Sequence, residues 1–154
     1  DAFVAAANEV LTSTAATWPA DRYKPEVFAA MAPLVQTRVV VMAEVVAMVD
    51  FLFLAEPPID EAAFTKAFSA EFAVPTLTKI SNAFETIDWN AESIKVAVEA
   101  VGTQHEVKLG KLQGPLRIAI TGRTVGPPLF EPIELLGREE SLRRIRAALV
   151  RAAG

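Results

Sequence analysis

Residues 108–137 read KLGKLQGPLRIAITGRTVGPPLFEPIELLG. A basic, glycine-punctuated entry holds Lys108, Gly110, Lys111 and Gly114. With Pro115 it predicts a loop over 107–114, because Gly and Pro interrupt regular structure. Arg117 to Thr121 then predicts a short helix, and Pro115 just ahead of it holds the backbone of Arg117 firmly. Gly126-Pro127-Pro128-Leu129-Phe130 forms a stiff loop, and a helix over about 130–136 ends at Gly137.

Working outward, helices are expected almost throughout. Phe3, Ala7, Val10 and Leu11 give helical apolar spacing over 2–14. Pro25 suits a first turn, and Pro33 predicts a kink or break. From Val39 to Leu54 every residue is apolar except Glu44 and Asp50. These sixteen residues fall short of the roughly 20 needed to cross a bilayer, and two acids count against insertion. The better reading is a buried helix over about 35–54, in a chain with no membrane segment. Glu56-Pro57-Pro58 marks a boundary, with subdomains at 1–56 and 57–154. Asp60 is read as the N-cap of a helix through Glu71, and Asn90 as the cap of another with Glu92 in its first turn. Pro75 is placed in the first turn of a helix through about Ile87. The last helix covers 138–152, with Leu142, Ile145 and Leu149 inward and Arg143, Arg144 and Arg146 outward. No strand alternation or internal repeat is visible, so the fold class is all-α, a helical bundle of two small subdomains.

Composition narrows the functions. The 154 residues are 52% hydrophobic and 22% charged, with mean hydropathy +0.31, which describes a folded chain. The absence of cysteine excludes disulfides, Cys-based zinc sites and thiol catalysis. Residues 1–104 carry six basic groups against fourteen acids, whereas residues 105–154 carry nine against five. A basic end on an acidic body suits an anionic partner; taken alone, it equally describes a solvated basic helix. The positive potential is expected from Lys108, Lys111, Arg117, Arg123 and the Arg138–Arg146 helix. The glycines match no phosphate-binding loop, the one histidine, His105, cannot build a metal cluster, and no Ser-His-Asp motif is present. Catalytic and metal-ligating residues are therefore expected to be none. The chain starts at Asp1 without an initiator Met, inside a helical pattern, and is expected to be a fragment.

The run Pro-Leu-Arg-x-Ala-x-Thr-Gly at 115–122, followed by Pro-x-Leu-Phe at 127–130 and Leu-Leu-Gly at 135–137, resembles the C-terminal tRNA-binding region of bacterial glutamyl-tRNA synthetases. The resemblance is strongest from Lys108 to Arg146. It is moderate at Leu34–Arg38 and Ala43–Phe53, where an Arg opens an apolar helix ending in aromatics. It implies an all-helical cage around the anticodon loop, in a cytoplasmic protein expected to be monomeric. It also implies tRNA-Glu as partner and no DNA. A catalytic domain in cis, absent here, would use ATP and magnesium; this chain shows none of its signature motifs, so it needs no cofactor and is not an enzyme by itself.

The resemblance points to Arg117, Pro127, Leu129, Gly126, Arg38, Lys108, Lys111 and Arg123 as RNA-binding. Unstacked loop bases are read at their edges and by stacking on planar groups, and a guanidinium offers both. The Gly126–Leu129 loop combines close backbone approach with a fixed φ, and Leu129 offers an apolar surface to a base. Position 126 lacks the hydroxyl or acidic side chain common in the family, leaving backbone contact there. Without the resemblance, Arg117 reads as a helix-start ion-pairing residue, Arg38 as the partner of a neighbouring acid, and Leu129 and Phe130 as core. The competing function is a helical protein-docking module with a basic C-terminal face.

Overall fold

The computed structural model describes residues 1–39 and 42–154. Among these, the regular structure is helical, in nine α-helices and two single turns of 3-10 helix. The chain divides into two compact units, one of residues 1–57 with 126–128, the other of residues 58–125 with 129–154. The sequence reading places its boundary at 56/57 and does not anticipate the grouping of 126–128 with the first unit.

In the first unit, α1 (Ala2–Leu11) starts on the Asp1 side chain, which accepts from the N–H of Phe3 at 2.8 Å. α2 (Pro25–Gln36) begins with Pro at its first position, and α3 (Glu44–Val49) runs into a 3-10 turn at Asp50–Leu52. The three helices pack on one another around Leu11, Phe28, Met31, Val35, Val45 and Val49, all fully buried. Trp18, Tyr23 and Phe53 form an aromatic cluster with ring centroids 5.0–6.2 Å apart. The Tyr23 hydroxyl donates to Asn8 Oδ1. Burial, with a smaller push from Glu26, raises its pKa to about 12.

Two expectations fail here, a break at Pro33 and a single buried helix over 35–54. α2 continues through Pro33 to Gln36. An exposed proline costs a helix one hydrogen bond, but the buried stripe of Phe28, Met31, Ala32 and Val35 holds the turn together. Nor is there one buried helix over 35–54. Residues 37–39 and 42–43 are not helical, β-branched Thr37 and Val39 being poor helix formers, and α3 starts at Glu44. Val40 and Val41, which that expectation also covers, lie outside the described residues.

The second unit contains α4 (Glu61–Phe68), α5 (Ala73–Phe84), α6 (Ala91–Gln104), α7 (Leu109–Thr121), α8 (Phe130–Leu136) and α9 (Arg138–Ala153). α5 packs against α6 and α9, and α7 packs against α4, α5, α6 and α9. The Asp60 carboxylate caps α4 at the N–H of Ala63 (3.1 Å), and the Asn90 side chain caps α6 at Ser93 (2.8 Å). A second acceptor, Glu134 Oε1, takes the N–H of Ala91 at 2.8 Å. Pro75 lies in the first turn of α5, as expected.

The main correction concerns residues 107–121. There is no loop at 107–114 followed by a short helix at 117–121. α7 is continuous from Leu109, with Gly110, Gly114 and Pro115 inside it. Leu112, Leu116 and Ile120 recur every four residues and are at most 1% exposed. Burying that stripe outweighs the roughly 1 kcal/mol cost of each helical glycine and the hydrogen bond lost at proline. Several ends also shift inward. α1, α4 and α5 stop at Leu11, Phe68 and Phe84, ahead of the expected ends at 14, Glu71 and Ile87.

Candidate RNA-binding site

The C-terminus of α7 is built from backbone ties. Gly122 adopts a left-handed φ of 79° and donates to the carbonyl of Ile118 at 2.9 Å. Its own carbonyl accepts from the N–H of Asp60 at 2.8 Å, joining the end of α7 to the start of α4. A Cβ at Gly122 would lie 2.2 Å from the carbonyl oxygen of Pro58. The Thr121 hydroxyl lies 2.9 Å from the carbonyl of Arg117 and accepts from the N–H of Arg123 at 3.2 Å. These ties link the backbone of Arg117 to that of Arg123 through the Thr121 hydroxyl. Arg117 is half-buried in the last turns of α7, not at the start of a short helix.

Lys108 and Lys111 sit together at the other end of α7. Lys108 occupies the N-cap position and Lys111 the third helical position, and both are exposed. Cations here oppose the positive end of the helix dipole. Neither lysine makes an ion pair among the described residues. Local stability does not explain this arrangement, and such violations concentrate at functional sites.

Leu129 does not behave as expected. It is 2% exposed, with its carbonyl accepting from Ile133 as α8 begins, so its side chain belongs to the core and presents no apolar surface. Pro127 is also buried, and Gly126 is half-buried. The exposed apolar side chain of this segment is Val125, at 79%. The sequence reading overlooked it, although an apolar residue in a polar loop was the available signal.

Arg38 lies in the first unit, just past α2. Its guanidinium donates to the carbonyl of Leu34 at 2.9 Å and lies 3.3 Å from the Thr37 hydroxyl. It caps the end of its own helix, where a cation suits the dipole, and does not open an apolar helix.

The basic α9 is engaged within its own unit. Arg138 donates to the carbonyls of Phe84 (3.1 Å) and Ile87, and lies over the Trp89 ring at 5.4 Å. Arg143 pairs with Glu140 at 2.7 Å, Arg146 with Glu85, and Arg151 with Glu61. Arg144, expected outward, is 5% exposed. It binds Glu140 at 2.9 Å and donates to the carbonyl of Ile120 at 2.7 Å. The carboxyl of Glu140 is held below its ordinary range, chiefly by the hydrogen bond from Arg143, with Arg144 adding to it against the opposing effect of burial. The expected positive face of Arg138–Arg146 is thus largely neutralised, which takes away the feature a basic protein-docking helix would need. Among the described residues, no group of three or more His, Cys, Asp or Glu is placed to hold a metal, and no helix is long and apolar enough to cross a membrane.

Among the described residues, a helical fold with exposed lysines at one end of α7 and a tied turn at the other suits a helical domain that meets an anionic partner. Comparison with known proteins makes this specific. A family profile described as an anticodon binding domain matches residues 2–149, and the chain belongs to that family. It is 53% identical to a glutamate–tRNA ligase of Salinispora arenicola, covering 97% of this chain and 33% of that protein. It is 47% identical to one of Frankia casuarinae, covering 99% of this chain and 32% of that protein. The chain spans about a third of the length of these curated relatives. Among solved structures it resembles a glutamate tRNA ligase from Elizabethkingia meningosepticum crystallised with its amino acid. The TM-score there is 0.80 at 26% identity, covering 97% of this chain and 28% of that one.

Proposed function

We propose that this anticodon-binding domain recognises the anticodon loop of tRNA-Glu for a glutamate–tRNA ligase, whose catalytic domain lies outside these residues. The observation that carries the reading is the family match along nearly the whole chain, with relatives named glutamate–tRNA ligases. The geometry supports it at α7, where exposed lysines oppose the helix dipole at one end and Arg117 and Arg123 flank a tied turn at the other. Lys108 and Lys111 contact phosphates, Arg117 and Arg123 reach bases or phosphates, and Gly126 and Pro127 offer backbone contacts of their own. Val125 takes over the apolar contact expected of Leu129, and Arg38, in the first unit, is a separate RNA contact.

In this reading the chain acts as a monomer in the cytoplasm, binds no DNA and performs no chemistry alone. ATP and magnesium serve the catalytic domain. Filter binding with tRNA-Glu and an anticodon-substituted transcript tests the reading: the chain should prefer the cognate RNA by at least tenfold, about the 1–3 kcal/mol of one base-reading arginine. Equal binding of both transcripts would reject anticodon recognition. Glutamate-dependent pyrophosphate exchange with tRNA present should stay at the blank level; exchange above it would mean the chain is more than a binding domain.

A further inference from the structure

A buried cation in a helical bundle needs a reason. Arg144 is 5% exposed, and replacing a buried ion pair with well-packed apolar residues is often neutral or stabilising. Arg144 directs one donor to Glu140 and another, at 2.7 Å, to the carbonyl of Ile120. That carbonyl is among the last four of α7, which lack a partner within a helix, and it lies at the negative end of the helix dipole. The next two residues are tied as well: Thr121 through its hydroxyl to Arg117 and Arg123, and Gly122 through its carbonyl to Asp60. Three successive residues are thus pinned from three directions immediately ahead of Arg123. One such tie ends a helix. Three fix the direction in which the chain leaves it, which matters when the following residues must meet a ligand in a set geometry.

We propose that Arg144, oriented by Glu140, is a positioning residue for anticodon discrimination. By anchoring the Ile120 carbonyl it sets the exit of α7 and with it the placement of Arg123. This rests on the anticodon-binding reading above. Arg144 touches no RNA in this scheme and acts only through the backbone of α7.

The test uses the 154-residue chain and its Arg144→Met, Arg144→Lys and Thr121→Val variants. Affinity for a tRNA-Glu transcript and for an anticodon-substituted transcript is measured well below each variant's melting temperature, at several salt concentrations. Arg144→Met and Thr121→Val should lower the cognate preference by roughly tenfold, within the range for residues that act without touching ligand. The salt slope should stay at the parent value, since no phosphate contact is removed. Arg144→Lys, which keeps a donor for Ile120, should recover part of the preference. Folded variants that melt at lower temperature but keep the parent's preference would overturn the positioning role and leave an ordinary stabilising cap. If Arg144→Met does not fold, Thr121→Val decides: loss of preference supports the proposal and an unchanged preference overturns it. A parent chain that does not distinguish the transcripts overturns the anticodon reading and this proposal together. A discriminating parent with unchanged variants overturns this proposal alone.

Discussion

Gly122 occupies a backbone conformation that L side chains rarely adopt, and a Cβ there would meet the Pro58 carbonyl oxygen at 2.2 Å. Gly122→Ala therefore adds left-handed strain to a backbone clash that no rotamer can relieve. It should cost upwards of about 2 kcal/mol, seen as a large drop in melting temperature by circular dichroism; a variant melting like the parent would mean the turn is wrongly described. Leu129 gives the converse case, a residue that the Pro-x-Leu-Phe pattern assigns to a ligand and that folding places in the core. Leu129→Ala should destabilise by about 2–5 kcal/mol. Glu140 adds a pH dependence. Its folded pKa is depressed, so the stability it supplies is fully present above its ordinary value and is lost as pH falls through the lowered one. Glu140→Gln should melt a few degrees below the parent at pH 7, on the order of 1 kcal/mol, and the gap should close in acid. A gap that stays constant from neutral to acid pH would remove the ion pair from the account.

At the scale of elements, α7 trades stability for charge. Lys108 and Lys111 put cations where the dipole favours anions. Lys111→Glu should therefore raise helix stability by about 0.3–1 kcal/mol while weakening tRNA binding. Calorimetry and filter binding on the same preparation would show the two effects in opposite directions; an increase in both would exclude this end of α7 from the RNA surface. The same helix shows how far the sequence was legible. Caps are local, so Asp60, Asn90 and Pro75 reveal their helix starts directly. α7 was misread because Gly110, Gly114 and Pro115 are local breakers, whereas the stripe of Leu112, Leu116 and Ile120 acts only once α4, α5, α6 and α9 pack against it. The break between α2 and α3 was missed for the opposite reason. A long apolar run signals burial but not continuity, and β-branched residues lower helix propensity. For the candidate site, residue types and order pointed to the ends of α7. They could not show that Leu129 is buried and Val125 exposed, or that Arg144 turns inward to Ile120, because each depends on tertiary partners.

For the whole molecule, charge decides how RNA binding responds to salt. The net charge is −4, with the basic excess confined to residues 105–154. All nine basic groups there could in principle neutralise phosphate, and for a single-stranded loop that would give a log–log salt slope of roughly −6. The structure reduces the number. The α9 arginines are engaged by Glu140, Glu85, Glu61 and the carbonyls of Phe84, Ile87 and Ile120; Arg117 and Arg123 also have partners within the protein, and with Lys108 and Lys111 they are the phosphate contacts proposed in this part of the chain. Four contacts predict a slope nearer −3. The double variant Lys108→Gln, Lys111→Gln should flatten it by about 1–2, because each lost phosphate contact removes close to one unit. Titrating tRNA-Glu at several salt concentrations reads both values. A slope near −6 would mean that the α9 ion pairs open on binding and the helix joins the RNA surface. A flat response would mean that the basic end neutralises no phosphate, since counterion release is unavoidable when a chain does so.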